Sequence, residues 1–166
     1  SFGFAPQLRA QLRARHPGRE IEVINCGVVA INSHVVRRLA AELARFEPDV
    51  FVVYLGNNEV VGPYAPGCSY LSDMPPRALI RASLAVRATR TGQLLGRMLG
   101  GLGGRGAAAR APAEWGGMAM FVDAAVRGDD PRLREVRANF AANLDAIVAA
   151  GRGAGARVVL ATVVSN

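Results

Sequence analysis

The chain has 166 residues and a formal net charge of +7. That length suits one domain with a real core, and no uninterrupted apolar run reaches the roughly 18 residues that a membrane span needs. All 20 basic residues are arginine, a residue suited to phosphate recognition. Because they are scattered, with no zinc-ligand spacing, basic block or RNA-binding aromatic motif beside them, we expect no nucleic-acid partner.

The first third of the chain predicts helices alternating with strands. The evidence is apolar residues at helical spacing in two segments and β-branched or nearly continuous apolar runs in the other two. The predicted elements are a helix at 5–15, a strand at 21–25, a helix at 33–46 capped by Asn32 or Ser33, and a strand at 49–55. The last of these is apolar along almost its whole length, as in strands buried on both faces of a parallel sheet.

The rest of the chain begins with a long irregular stretch and then returns to the same alternation. The predicted segments are a proline-rich loop at 62–76, a weak helical pattern at 77–99, a Gly/Ala-rich stretch at 100–117, a helix from Asp130-Pro131 to Gly151, and a strand at 157–164. We expect a mobile Gly/Ala/Arg-rich insertion at about 63–125. Alternating helices and strands predict an α/β fold with a parallel sheet covered by helices on both faces.

Polar residues and glycines follow each predicted strand. The sequences at these ends are NCG, GNNE and TVVSN. Asn and Gly are ordinary turn residues, and for one strand end that explanation suffices. Ligands of open α/β sheets bind outside the carboxyl ends of the strands, so two such ends together favour a site.

Two of these segments carry a resemblance to a known family. VINCGVVAINS, followed about 30 residues later by VYLGNNEVVG, resembles the second and third sequence blocks of the SGNH hydrolases, also called GDSL-like esterases and lipases. Residues 143–166 resemble the helix and fourth strand that follow in that family. The resemblance covers roughly two-thirds of the chain, leaving out 63–125, and implies a flavodoxin-like three-layer sandwich with a parallel sheet.

The resemblance also implies which residues act. Gly27 matches the family's oxyanion-hole glycine, and residues 56–59 match its Gly-x-Asn-Asp/Glu motif, with Asn58 as the oxyanion-hole amide. Preorganised donors of this kind stabilise the negative oxygen of a tetrahedral intermediate by about 3–4 kcal/mol each. Gly27 allows close approach to its backbone N–H, and the neutral amide of Asn58 donates at any pH. We expect Glu59 to brace the turn rather than take part in the chemistry.

The remaining family motifs have no counterpart within the chain. If Gly3 is the glycine that follows the family's nucleophile, that serine lies two residues before Ser1; taking Ser1 itself as nucleophile would put Ala5 at the glycine position. The Asp-x-x-His block would follow Asn166. His16 lies in a turn and His34 inside a predicted helix, so neither is expected to be the base. The chain begins at Ser1 rather than Met, and we expect an inactive fragment truncated at both ends.

The expected function is therefore that of a serine ester hydrolase in the parent protein, cleaving or transferring an acyl group. Its substrate would be a small-molecule, glycan or lipid ester, and no cofactor or metal is implied; Cys26 and Cys68 match no metal or redox spacing. The alternative is a non-catalytic flavodoxin-like or nucleotide-binding α/β module. A nucleotide site favours a Gly-rich loop between strand and helix, and NCGVVAINS has one glycine there.

Overall fold

The computed structural model describes residues 3–68, 74–102 and 125–163. Its elements are α1 (Phe4–Arg15), α2 (Ser33–Leu43, followed by a 3-10 turn at Ala44–Phe46), β1 (Val50–Tyr54), α3 (Arg77–Arg87), α4 (Arg90–Leu102), α5 (Arg132–Gly153) and β2 (Arg157–Ala161). The fold is mixed α/β. Within these ranges, none of the helices combines the length and apolar character that crossing a bilayer requires.

The sheet seen in the described residues consists of two parallel strands. β1 pairs with β2 in a register that places Val50 beside Arg157 and Tyr54 beside Ala161. α5 contacts both α2 and β2. The core lies between these elements and contains Ala40, Val53 and Ile147, surrounded by partly buried apolar side chains from α2, β1, α5 and β2. The two strands are parallel because the helices between them carry the chain back to the end of the sheet at which β1 begins.

Alternate residues of the two strands lie on the sheet face away from this core. Val50, Val52 and Tyr54 of β1 are 48%, 44% and 54% exposed, and Val159 of β2 is 50% exposed. A strand directs successive side chains to opposite faces, so these four residues share one face. In the described part of the chain, this face is therefore largely apolar and exposed, while the opposite face is buried at Val53 but still 50% exposed at Leu160.

The predicted strand at 21–25 is wrong. Residues 20–28 form neither helix nor strand, and Ile24 is 70% exposed. A β-branched alternating pattern shows that a segment can be extended, but a strand also needs a neighbour for its N–H and C=O groups. Among the described residues the sheet order is β1–β2, and no ladder partner is provided for this segment.

The other predicted elements are confirmed in part. α1, α2 with its 3-10 turn, β1 and β2 agree with the predictions at 5–15, 33–46, 49–55 and 157–164, although β2 is shorter. The weak helical pattern at 77–99 is confirmed, and the chain forms two helices there, α3 and α4, with a break between them. At the break, Thr89 Oγ1 accepts a hydrogen bond from the Gly92 N–H at 3.0 Å, which caps the start of α4. The Gly/Ala-rich stretch at 100–117 lies largely outside the described residues.

Asp130 caps α5 as predicted, but the helix begins one residue later than expected. The helix begins at Arg132 rather than at Pro131, and Asp130 Oδ1 accepts the Arg132 N–H at 2.8 Å. The carboxylate thus satisfies one of the N–H groups that a helix leaves free in its first turn. The Arg132 guanidinium also donates to Asp130, and these bonds hold the pKa of that carboxyl below its usual value.

Replacing Gly151 with alanine should reduce the free energy of unfolding by about 1–2 kcal/mol, because a methyl group overpacks the contact between α5 and the sheet. A Cβ at Gly151 would lie 2.7 Å from Val158 Cγ2 and 3.0 Å from Phe51 Cδ2. Urea denaturation measures the change. Gly153→Ala, on the same helix with open space around it, is the control and should be neutral or slightly stabilising. Equal effects of the two variants would contradict the close packing of Gly151.

Candidate functional site

The turn that follows β1 is tight and depends on two glycines. Gly56 has φ +138°, in the region that disfavours side chains. The Gly62 N–H donates to the Asn58 carbonyl at 2.7 Å, and a Cβ at Gly62 would lie only 2.5 Å from that same oxygen. The backbone of residues 56–62 is therefore folded closely on itself, which fixes the position of the side chains it carries.

Two side chains of this turn bind the segment that begins α2. Asn58 Nδ2 donates to the Ile31 carbonyl at 3.1 Å. Glu59 accepts two hydrogen bonds from Ser33: its Oε1 from the backbone N–H and its Oε2 from the hydroxyl, both at 2.7 Å. A carboxylate at a helix N-terminus is favoured by the free N–H groups and the helix dipole. The predicted bracing role of Glu59 is confirmed.

A buried amide of α5 extends this network. Asn143 is fully buried, and its Nδ2 lies 3.0 Å from Ser33 Oγ and 3.0 Å from His34 Nδ1. Because the hydroxyl of Ser33 gives its one proton to Glu59, its oxygen can only accept from Asn143. The second amide proton of Asn143 then goes to His34 Nδ1. This order of donors assigns the imidazole as neutral with its proton on Nε2.

The environment of His34 also favours the neutral ring. The side chain is buried in the first turn of α2, and its ring meets that of Tyr64 edge-on with centroids 6.3 Å apart. Burial, followed by the positive charges of nearby arginines, lowers the pKa of His34 from 6.5 to about 4. At neutral pH the imidazole is thus an uncharged acceptor for Asn143.

Burial affects Glu59 in the opposite direction. Removal from water raises the pKa of this carboxyl above its ordinary value of 4.5, while the two hydrogen bonds from Ser33 act to lower it. The net shift is upward. Glu59 is thus a partly buried acid whose ionised form is held by two donors at the start of a helix.

A small cavity adjoins this network. It measures about 10 Å³ and its lining includes Asn32, His34, Glu59 and Asn139. Asn32 Nδ2 donates to the Pro63 carbonyl at 2.7 Å, while its buried Oδ1 has no hydrogen-bond partner within the described residues. A polar cavity of this size has room for about one water molecule, which would supply the missing donor.

The two predicted oxyanion donors lie in different local settings. Gly27 is exposed in the irregular segment before α2, and its N–H donates to Asn25 Oδ1 at 3.0 Å. Asn58 lies in the turn after β1 and has one of its two amide protons directed to Ile31. Gly27 is bonded within its own segment, whereas Asn58 is bonded to the segment before α2, and no hydrogen bond among the described residues joins Gly27 to Asn58.

Sequence reasoning missed the buried amides of α5. Asn139 and Asn143 are spaced one turn apart within the stripe that also contains Val136 and Ile147, all of them buried. An asparagine repeated at helical spacing inside an apolar stripe indicates a buried polar contact, because an unpaired buried amide is costly. That pattern was available in the sequence, but it could not identify Ser33 and His34 as the partners.

The comparisons with known proteins supply no relative. Neither the family models, nor the curated proteins, nor the solved structures contain a match to this chain. Among the residues that the structure describes, no group of three or more His, Cys, Asp or Glu side chains is placed to hold a metal ion. The functional assignment therefore depends on the residues and contacts described above.

Replacing Glu59 with glutamine should change how stability depends on pH. Because the folded-state pKa of Glu59 is raised, its contribution is complete below pH 4.5 and is lost as the pH rises through the raised pKa. As the pH rises from 4.5 towards 7, the free energy of unfolding of the wild type should therefore fall relative to that of the Glu59→Gln variant. Urea denaturation at several pH values measures this difference.

The exposed Glu22 provides the control for that experiment. Glu22→Gln also removes one carboxylate, but from a side chain that stays in water when the chain folds. The difference between Glu59→Gln and Glu22→Gln over the same pH range isolates the effect of burying the carboxylate. A flat difference for Glu59→Gln would contradict the burial of the ionised carboxylate.

Proposed function

We propose that this chain provides the oxyanion-binding part of a serine ester hydrolase of the SGNH type, within a flavodoxin-like three-layer sandwich. The two donors are the Gly27 N–H and the Asn58 amide. The resemblance assigns the nucleophilic serine and the Asp-His pair to family blocks that have no counterpart among these 166 residues. The reaction is cleavage of an ester, or transfer of its acyl group to another alcohol.

One observation supports this proposal above the others: the Asn58 amide is held in place before any substrate binds. Its turn is closed by Gly62, and the neighbouring Glu59 is bonded twice to Ser33 at the start of α2. One amide proton of Asn58 goes to Ile31 at 3.1 Å, which leaves the second proton for a ligand. A donor fixed in this way requires little reorganisation when negative charge develops on a substrate oxygen.

The proposed reaction is an acyl transfer through a covalent intermediate on serine. The serine oxygen attacks the ester carbonyl as its proton passes to the histidine, and the carbonyl oxygen becomes an anion that accepts hydrogen bonds from Asn58 and Gly27. Collapse of the intermediate breaks the bond to the alcohol, which leaves with a proton from the histidine, and the acyl group remains on serine. Water or a second alcohol then takes the acyl group. For Gly27 to act, its N–H must exchange Asn25 Oδ1 for the substrate oxygen.

His34 has no part in this mechanism. Its Nδ1 accepts from Asn143, its ring is buried, and its pKa of about 4 makes it a weak base near neutral pH. We assign His34 to the packing and hydrogen bonding of α2. The proposal therefore takes its general base from a different histidine.

The test is the activity of the full-length protein on a short-chain ester. Saturable hydrolysis of p-nitrophenyl acetate and covalent labelling by a fluorophosphonate, which reacts with activated serines, are the expected results. The labelled serine should lie in a Gly-x-Ser sequence before residue 1. The absence of both turnover and labelling would overturn the proposal and would favour a non-catalytic α/β module.

A further inference from the structure

Helix α4 has an apolar face that the described part of the chain leaves uncovered. Leu94, Leu95 and Met98 are 58%, 56% and 56% exposed. Residues three or four positions apart lie on the same side of a helix, so these three side chains form one continuous patch. Single exposed apolar side chains are ordinary on a protein surface, whereas a contiguous patch indicates a surface that binds something.

The packing of α4 on α3 leaves this face free. Gly92 of α4 is buried, and a Cβ there would lie 2.9 Å from Val86 Cγ1 and closer still to the Val86 backbone. α4 therefore approaches α3 with the side that carries Gly92. Two positions along a helix correspond to a rotation of about 200°, so Leu94 lies on nearly the opposite side from Gly92. Met98, one turn after Leu94, shares that outer side.

The charges around the apolar face are all positive. The segment from Arg77 to Leu102 contains five arginines and no Asp or Glu, so it contributes +5 to the net charge of +7. Arg90 and Arg97 are exposed and lie four positions before and three positions after Leu94, which places both beside the apolar patch. Neither arginine forms an ion pair within the described ranges of the chain. Their charges are therefore available to an anionic partner.

An apolar patch bordered by arginines matches the surface of an anionic lipid bilayer. Apolar side chains of an interfacial helix enter the boundary between headgroups and acyl chains, while arginine reaches outwards to the lipid phosphates. A nucleic acid offers phosphates but leaves leucine and methionine side chains uncovered. A second copy of the chain would bring the same arginines together across a twofold interface, where like charges repel each other.

We propose that α4 docks the protein on the surface of a bilayer that contains anionic phospholipid. The 13 residues of α4 extend about 20 Å, less than the roughly 30 Å of a hydrocarbon core, so the helix lies in the plane of the interface. This docking is independent of the ester chemistry proposed above. None of its residues is an oxyanion donor, and binding to a vesicle requires no turnover.

The test is co-sedimentation of the full-length protein with large unilamellar vesicles at low ionic strength. Vesicles of equimolar phosphatidylcholine and phosphatidylglycerol should bind the protein at least about tenfold more strongly than vesicles of phosphatidylcholine alone, because each arginine near an anionic surface strengthens binding about fivefold. Added salt should weaken the binding to the anionic vesicles. Absence of binding to both vesicles, or equal binding to both, would overturn the proposal.

Variants locate the docking surface on α4. Replacing Leu94 and Met98 together with glutamine should weaken binding to the anionic vesicles about tenfold or more, because two side chains lose their apolar burial. Arg90→Gln should weaken it about fivefold. Val29→Gln and Arg134→Gln change exposed residues outside α3 and α4, and each should alter binding less than about twofold. Equal binding by the wild type and the double variant would overturn the assignment to α4.

Two further measurements separate docking from folding and from self-association. The Tm of the double variant should remain within about 2 °C of the wild type, because both positions are exposed. If that variant does not fold, the comparison of the two vesicles with the wild type still decides the proposal. Analytical ultracentrifugation without vesicles should show no dimer that depends on Leu94 and Met98. Such a dimer, without binding to vesicles, would overturn the proposal and make α4 a protein interface.

Discussion

Replacing Asn58 with alanine should lower the kcat of the full-length protein about 10²–10³-fold with little change in KM. In the proposed mechanism the amide donates to the oxygen on which charge develops in the transition state, so its removal should raise the barrier more than it weakens substrate binding. Steady-state hydrolysis of p-nitrophenyl acetate measures both constants. The same substitution removes the hydrogen bond to Ile31, so the Tm of the variant must be recorded alongside.

Asn57 offers a matched control for that substitution. It occupies the preceding position of the same turn, it is exposed, and it also carries an amide. Asn57→Ala should leave kcat within about threefold of the wild type, since its amide makes no proposed contact with the oxyanion. If Asn58→Ala is folded and keeps the wild-type kcat, Asn58 is a turn residue only and the oxyanion assignment is wrong.

Replacing His34 with asparagine should make the protein less sensitive to acid. The folded-state pKa of His34 is lowered from 6.5 to about 4, so the stability that it provides is complete above pH 6.5 and is lost as the pH falls through 4. Integrated over that range, the loss is about 2–3 kcal/mol. Asparagine cannot take up a proton, and its side-chain oxygen can accept the hydrogen bond from Asn143 in place of Nδ1.

Urea denaturation between pH 7 and 4 measures this difference. The wild type should lose about 2–3 kcal/mol relative to His34→Asn over that interval. His16→Asn is the control, because His16 is exposed in the turn after α1 and its replacement leaves the buried network intact. Parallel pH profiles for the wild type and His34→Asn would show that the ring is not held neutral by burial.

The elements that the sequence predicted correctly are those whose pattern is local. β1 and β2 are nearly continuous apolar runs, and α5 has a long apolar stripe with an acidic residue at its start. The segment at 21–25 has an equally suggestive pattern, yet it forms no strand. Whether an extended segment joins a sheet depends on a neighbour that can be far away in sequence, and that information is absent from the segment itself.

In the candidate site, too, the roles that could be predicted are those that depend on local sequence. The bracing role of Glu59 could be predicted from its place in the turn after β1, but its partner Ser33, 26 residues earlier at the start of α2, could not. Asn143 could not be assigned, because its partners Ser33 and His34 lie about 110 residues earlier in the chain. The pKa changes of His34 and Glu59 likewise follow from burial, which is a property of the tertiary structure and not of local sequence.

The pairing of β1 with β2 has a consequence during protein synthesis. The two strands lie roughly 100 residues apart in the chain, so β1 leaves the ribosome long before its partner. At a synthesis rate of about 5–20 residues per second, β1 waits about 5–20 s for the backbone partner that it has among the described residues. Contacts this distant also make folding slow. The nascent chain therefore exposes an aggregation-prone strand for seconds, which makes β1 a natural point of engagement for chaperones.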